Sequence, residues 1–145
     1  MYMPDKNEES SVNPNVHTES EYTVLYIEDN PANLRLVTQL LGAQPNISLH
    51  SAEEPFLGLE LAVKHLPDLI LLDINLPGID GYEVLTRLRA QNETKHIPVV
   101  AISANAMKKD IDRGMAAGFE SYITKPIDVK ALLQAVNSKL SEIKK

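Results

Sequence analysis

The chain is predicted to be an α/β domain, a five-stranded parallel sheet of order 2-1-3-4-5 with helices on both faces. Two observations predict this. From Tyr22 onward, short aliphatic runs alternate with longer amphipathic segments, the signature of βα units feeding a parallel sheet. Two of those runs, "LILL" and "VVAI", are apolar at consecutive positions, as strands covered on both faces require. Right-handed crossovers leave few topologies for five such units, and the flavodoxin-like order is the natural one.

Taken in order, residues 1–20 are rich in Glu, Ser, Asn and Pro and nearly free of apolar side chains. Such a stretch cannot bury enough surface to offset its ordering entropy, so it is expected to be a flexible tail or linker, with the folded domain at 21–145. The first strand is "YTVLYIE" (22–28). Asn30-Pro31 follows as a capped first helical turn, where the N–H that proline lacks would be unpaired anyway. "ANLRLVTQLL" then places Leu34, Val37, Leu40 and Leu41 on one helix face. "ISLHS" (47–51) is the second strand and "DLILLD" (68–73) the third. Pro77-Gly78 reads as a turn, and Asp80-Gly81 as a helix entry in which Asp caps and Gly relieves backbone strain. After the fourth strand, "IPVVAIS" (97–103), a helix within "ANAMKKDIDRGM" is expected to put Met107, Ile111 and Met115 in the core. "SYITK" (121–125) is the fifth strand. "VKALLQAVNSKL" closes the fold with a face of Val129, Leu132, Leu133, Val136 and Leu140.

Composition excludes several function classes. There is no cysteine, hence no disulfide framework, thiolate metal site or thiol nucleophile. The net charge of −6 disfavours direct nucleic-acid binding through a basic surface. The N-terminus lacks the apolar core of a signal peptide, and no run approaches the roughly 18 apolar residues of a membrane span. A cytoplasmic protein is expected. The four histidines (17, 50, 65 and 96) have no metal-ligand spacing and fall on the tail, a strand edge, a helix end and a loop.

In open parallel sheets the functional crevice lies at the carboxyl ends of the strands. There the first strand ends in Glu28-Asp29, the third in Asp73, the fourth in Ser103 and the fifth in Lys125-Pro126. Each has a plain structural explanation taken alone: Asp29 or Ser103 as helix caps, Lys125 as a surface residue before a turn proline. Together they converge on one crevice. Clustered carboxylates repel and raise one another's proton affinity; a hard dication relieves this, and an all-oxygen donor set with retained waters suits Mg²⁺.

The motifs "YIEDN", "LILLDINLPGIDGYEVL", "AISANAM" and "SYITKPID" closely resemble the receiver domain of two-component response regulators, in order and spacing, from residue 22 to about 143. "SANAM" and "MAAGF" resemble most the receivers attached to hybrid histidine kinases. The resemblance implies that Asp73 is the phosphoacceptor, with Ser103 and Lys125 completing the catalytic set. It implies an Mg²⁺ site from Glu28, Asp29, Asp73 and the backbone carbonyl of Asn75. Many members carry Asp where this chain has Glu28, so its longer side chain is expected to reach the metal through water. Ser103 and Tyr122 match the two switch positions, and Pro126 the proline that usually follows a cis peptide.

The resemblance further implies a histidine kinase or phosphotransfer protein as phosphodonor. It implies a downstream protein partner on the surface of helix 4, strand 5 and helix 5, no membrane association, and a monomer or a phosphorylation-linked dimer. The protein is expected to be a signalling module and not an enzyme, either stand-alone or detached from a larger kinase. Asn75 and Asn105 are expected to tune access of hydrolytic water. Two rivals remain. A degenerate receiver would serve as a docking module only. An aspartyl-nucleophile phosphatase usually carries a second Asp two residues after the nucleophile, where this chain has Asn75.

Overall fold

The computed structural model describes residues 21–143; the stretch expected to be a tail, 1–20, lies outside them. Five strands alternate with five helices: β1 (Tyr22–Ile27), α1 (Pro31–Gly42), β2 (Ile47–Ala52), α2 (Pro55–His65), β3 (Leu69–Asp73), α3 (Gly81–Arg89), β4 (Val99–Ser103), α4 (Lys108–Ala117), β5 (Ser121–Thr124) and α5 (Val129–Ser141). The sheet order is β2-β1-β3-β4-β5 and every pairing is parallel. No helix among these residues is long and apolar enough to cross a membrane.

The alternation of side chains along each strand builds two cores. On one face Leu25, Ile27, Ile70, Leu72 and Ala101 pack with residues of α2 and α3 such as Ala62, Val84 and Leu88. On the other, Val24, Tyr26, Leu69, Leu71, Val100 and Ile102 pack with Val37 and Leu41 of α1 and Leu132, Val136 and Leu140 of α5. Every residue of β3 and β4 is buried, including Asp73 and Ser103 at their ends. The apolar runs therefore hold their terminal polar residues at a fixed height. Strand boundaries follow backbone chemistry: β4 begins after Pro98 and β5 stops before Lys125-Pro126, because proline has no N–H for the ladder.

Two expectations of burial need correction. Met107 and Met115 are exposed, at 64% and 45%, and Ile111 is only half-buried. Of α4 only Gly114 is buried; it rests on the Tyr122 ring, so the inward face is narrow and both methionines fall beside it. Val129 is likewise exposed, since it opens α5 directly after the Asp128 cap. His50 and His65, assigned to a strand edge and a helix end, meet as stacked rings 3.9 Å apart; burial, followed by His65 and Lys64, holds the His50 imidazole below its usual value.

Asp80 does cap α3, its side chain accepting the Glu83 N–H. The reason for Gly81 is space, however, not backbone strain. A Cβ there would lie 2.6 Å from the Ile74 Cα and 3.3 Å from the Asp73 carbonyl. The Gly81 N–H donates to the Ile74 carbonyl at 2.8 Å, closing the loop that carries Asp73, Ile74 and Asn75. Gly78 turns that loop with φ +88°, a conformation open to glycine at no steric cost. Gly81→Ala is expected to push the loop outward and lower stability by about 1–3 kcal/mol, the cost of overpacking. Urea unfolding should show a lower midpoint at unchanged slope; an unaltered midpoint would show that the close approach imposes nothing.

Candidate functional site

The strand register assembles the site. Ile27 pairs with Leu72 and Asp73 with Ile102, so Glu28, one residue beyond β1, comes level with Asp73. Ser103 pairs with Thr124, and the Lys125 N–H donates to the Ser103 carbonyl at 2.8 Å. The helix-cap explanations fail. Asn30, not Asp29, caps α1 through a bond from the Asn33 N–H. The residue before α4 is Met107, with no side-chain cap. Asp29 and Ser103 are both free of capping duty.

Lys125 joins the acidic groups. Its ammonium lies 3.1 Å from Asp73 Oδ2 and 3.2 Å from Glu28 Oε2. Glu28 is fully buried and Asp73 nearly so. Glu28 Oε1 accepts the Tyr26 hydroxyl at 2.7 Å, and Oε2 also accepts the Asn30 N–H. Asp73 Oδ1 accepts the Asn75 N–H at 2.9 Å. Burial holds the Glu28 carboxyl above the ordinary carboxylate range, and the adjacent Asp73 adds to this; the Tyr26 hydroxyl and Lys125 act in the opposite sense. Burial alone would lower the Lys125 ammonium, yet the Asp73 and Glu28 carboxylates outweigh it and raise it. The Tyr26 phenol is pushed well up by burial and by Glu28.

Glu28, Asp29 and Asp73 each offer a carboxylate oxygen, and the three oxygens lie within 4.8 Å of one another. Asp29 is exposed while the other two are buried, so the cluster opens to solvent on one side. An oxygen-only set carrying this much negative charge fits a hard dication that keeps part of its water shell.

The remaining assigned residues form a second chain of contacts. The Ser103 hydroxyl donates to Asn75 Oδ1 at 3.1 Å and accepts the Asn105 N–H at 3.0 Å. The Tyr122 hydroxyl donates to the Asn105 carbonyl at 2.8 Å. Pro126 follows a cis peptide after Lys125. Beside this chain a polar cavity of about 370 Å³ is lined by Asn75, Asp80, Asn105, Arg113 and Tyr122.

Sequence reasoning missed three contributors. Tyr26 shares a strand face with Glu28, a placement that the two-residue spacing implies. A Cβ on Gly114 would come within 2.8 Å of the Tyr122 ring, so this glycine makes room for the tyrosine. Arg113 lies over the Tyr82 ring at 4.0 Å, walling the same cavity. No pattern along the chain announces the last two, which depend on how α4 leans on β5 and on α3.

The profile of the response regulator receiver domain matches residues 24–137. The polar-differentiation response regulator DivK of Brucella ovis is 41% identical over 122 residues, covering 83% of this chain and 97% of that protein. DivK of Brucella anthropi is 39% identical over 120 residues with the same coverage. Among solved structures, the receiver domain of a Francisella response regulator superposes with a TM-score of 0.78 at 26% identity, covering 85% of this chain and 99% of that one. The receiver domain of a sensor histidine kinase from Pseudomonas aeruginosa gives a TM-score of 0.75 at 26% identity over 84% of this chain and 99% of that one; it carries a magnesium ion coordinated in its active-site cleft.

The buried ammonium should be the main compensation for the carboxylates in the metal-free protein. Lys125→Met is expected to lower stability by about 3 kcal/mol near pH 8, as removing one partner of a buried ion pair does. The sign with pH follows from Glu28. Its raised folded value means that its contribution to stability is full below the ordinary carboxylate value and is lost as pH rises through the folded value. The deficit of the variant should therefore shrink as pH falls and Glu28 takes up a proton. Urea unfolding near pH 8 and at a mildly acidic pH checks this, and an equal deficit at both would contradict it.

Proposed function

Because the chain belongs to the response regulator receiver domain family, we propose that it relays a signal by accepting a phosphoryl group on Asp73 from the phosphohistidine of a histidine kinase or phosphotransfer protein. The observation that carries this reading is the position of Asp73: buried at the end of β3, yet next to Lys125 and to a carboxylate cluster open to solvent through Asp29.

Phosphoryl transfer needs positioning and neutralisation of the equatorial oxygens more than covalent assistance. A carboxylate oxygen of Asp73 attacks phosphorus in line. The P–O bond forms as the P–N bond to the donor imidazole breaks, and the imidazole leaves with the bonding electron pair. Lys125, which now spans Glu28 and Asp73, is positioned to take one phosphoryl oxygen, and the Ser103 hydroxyl another. Magnesium, held by Asp29, Asp73 and the Asn75 carbonyl with Glu28 acting through water, would supply further positive charge to those oxygens. Later attack by water releases inorganic phosphate and restores Asp73. The protein turns over no separate substrate.

The output follows from the chain of contacts beyond Ser103. Drawing its hydroxyl to the phosphoryl group disturbs Asn105, and with it the Tyr122 ring between β5 and α4. A local change of charge then becomes a change in the surface of α4, β5 and α5, where we place the downstream protein partner. The acidic crevice and the net charge of −6 support a protein partner over nucleic acid. Site of action is the cytoplasm, where kinase phosphohistidines are formed, as a monomer or a phosphorylation-linked dimer.

Incubation with Mg²⁺ and a small phosphodonor such as acetyl phosphate should add one labile phosphoryl group by intact mass. Labelling should need Mg²⁺ and vanish in Asp73→Asn, with folding retained. An adduct that persists in Asp73→Asn would reassign the acceptor, and no adduct on the wild type would leave the docking-only reading.

A further inference from the structure

The Ser103 side chain is fully buried and its hydroxyl is engaged twice. It donates to Asn75 Oδ1 and accepts from the Asn105 N–H. A hydroxyl has a single hydrogen to donate. It cannot serve Asn75 and a phosphoryl oxygen on Asp73 at the same time.

We propose that the Asn75 side chain is a latch on the resting state: it competes with the phosphoryl group for the Ser103 hydroxyl and so sets how readily the switch is thrown. The inference rests on the reading of Asp73 as acceptor. Asn75 is suited to this position. Its N–H donates to Asp73 Oδ1 at 2.9 Å while its amide oxygen holds Ser103, so one residue spans the ends of β3 and β4. Its side chain is exposed, and core packing does not demand an amide there. The path continues from Ser103 to the Asn105 N–H, and from the Asn105 carbonyl to the Tyr122 hydroxyl at 2.8 Å. Asn75 therefore stands at the head of a hydrogen-bonded line that ends on the tyrosine. Breaking its bond to Ser103 is a cost that phosphorylation must meet before Ser103 can turn. Asn75 acts here through Ser103 and is a positioning residue. A gate for hydrolytic water, by contrast, would not need Ser103 at all.

A double-mutant cycle separates the two. The affinity for beryllofluoride with Mg²⁺, a non-transferable stand-in for the phosphoryl group, is measured on the wild type, N75A, S103A and the double variant. N75A should bind about 2- to 10-fold more tightly, the range that one neutral hydrogen bond contributes. In the S103A background the same substitution should change affinity by less than about twofold, the scatter of additive effects. An equal gain in both backgrounds, or weaker binding by N75A, overturns the latch. A wild type that binds no beryllofluoride speaks against Asp73 as acceptor instead. The latch is then decided in the magnesium-free, unphosphorylated protein, from the Ser103 χ1 angle read by three-bond couplings. One rotamer is expected in the wild type, averaging in N75A, and recovery in N75D, which keeps an acceptor oxygen. A single rotamer retained in N75A overturns the proposal.

Discussion

Three carboxylates from two strand ends are held within 4.8 Å of one another, with one ammonium among them. Like charges at this distance separate unless something holds them, and here the holding is done by backbone. Glu28 and Asp73 end apolar strands buried on both faces, so neither can move outward without pulling leucines and isoleucines from the core. The strain is met in part by Lys125 and the Tyr26 hydroxyl. What remains is an excess of negative charge on fixed oxygens, facing solvent through Asp29.

The same rigidity shapes what lies beyond the acidic cluster. Gly81 closes the β3–α3 loop against Ile74, which sets Asn75 beside Ser103. Gly114 lets α4 rest on Tyr122, which brings the phenol to the Asn105 carbonyl. Neither glycine touches the carboxylates. In the proposed relay, both decide whether a change at Asp73 has a path to the surface of α4 and β5. That path is made of neutral hydrogen bonds, each worth about 0.5–1.5 kcal/mol net, so it can be re-formed in a second arrangement without unfolding anything.

Much of this was legible in the chain because parallel sheets concentrate function at one edge. Reading only the residue after each apolar run yields Glu28, Asp29, Asp73, Ser103 and Lys125, and the register brings them together. The strand order followed from the handedness of crossovers. Contacts made by leaning helices were not legible. Met107, Ile111 and Met115 have the spacing of a buried face, yet α4 buries only Gly114, since it meets the sheet through an aromatic ring. The stacking of His50 on His65 joins a strand to a helix end, a meeting that neither residue's neighbours foretell. The Tyr26–Glu28 bond was within reach, as strand alternation places both on one side.

The claim that most else depends on is that this cluster is a site for one dication. Calorimetric titration of the unphosphorylated protein with Mg²⁺ tests it directly. The account predicts saturable binding with one ion per chain, greatly weakened by Asp29→Asn, an exposed residue with no part in the core. Absence of saturable binding, or an isotherm unchanged by Asp29→Asn, would contradict it.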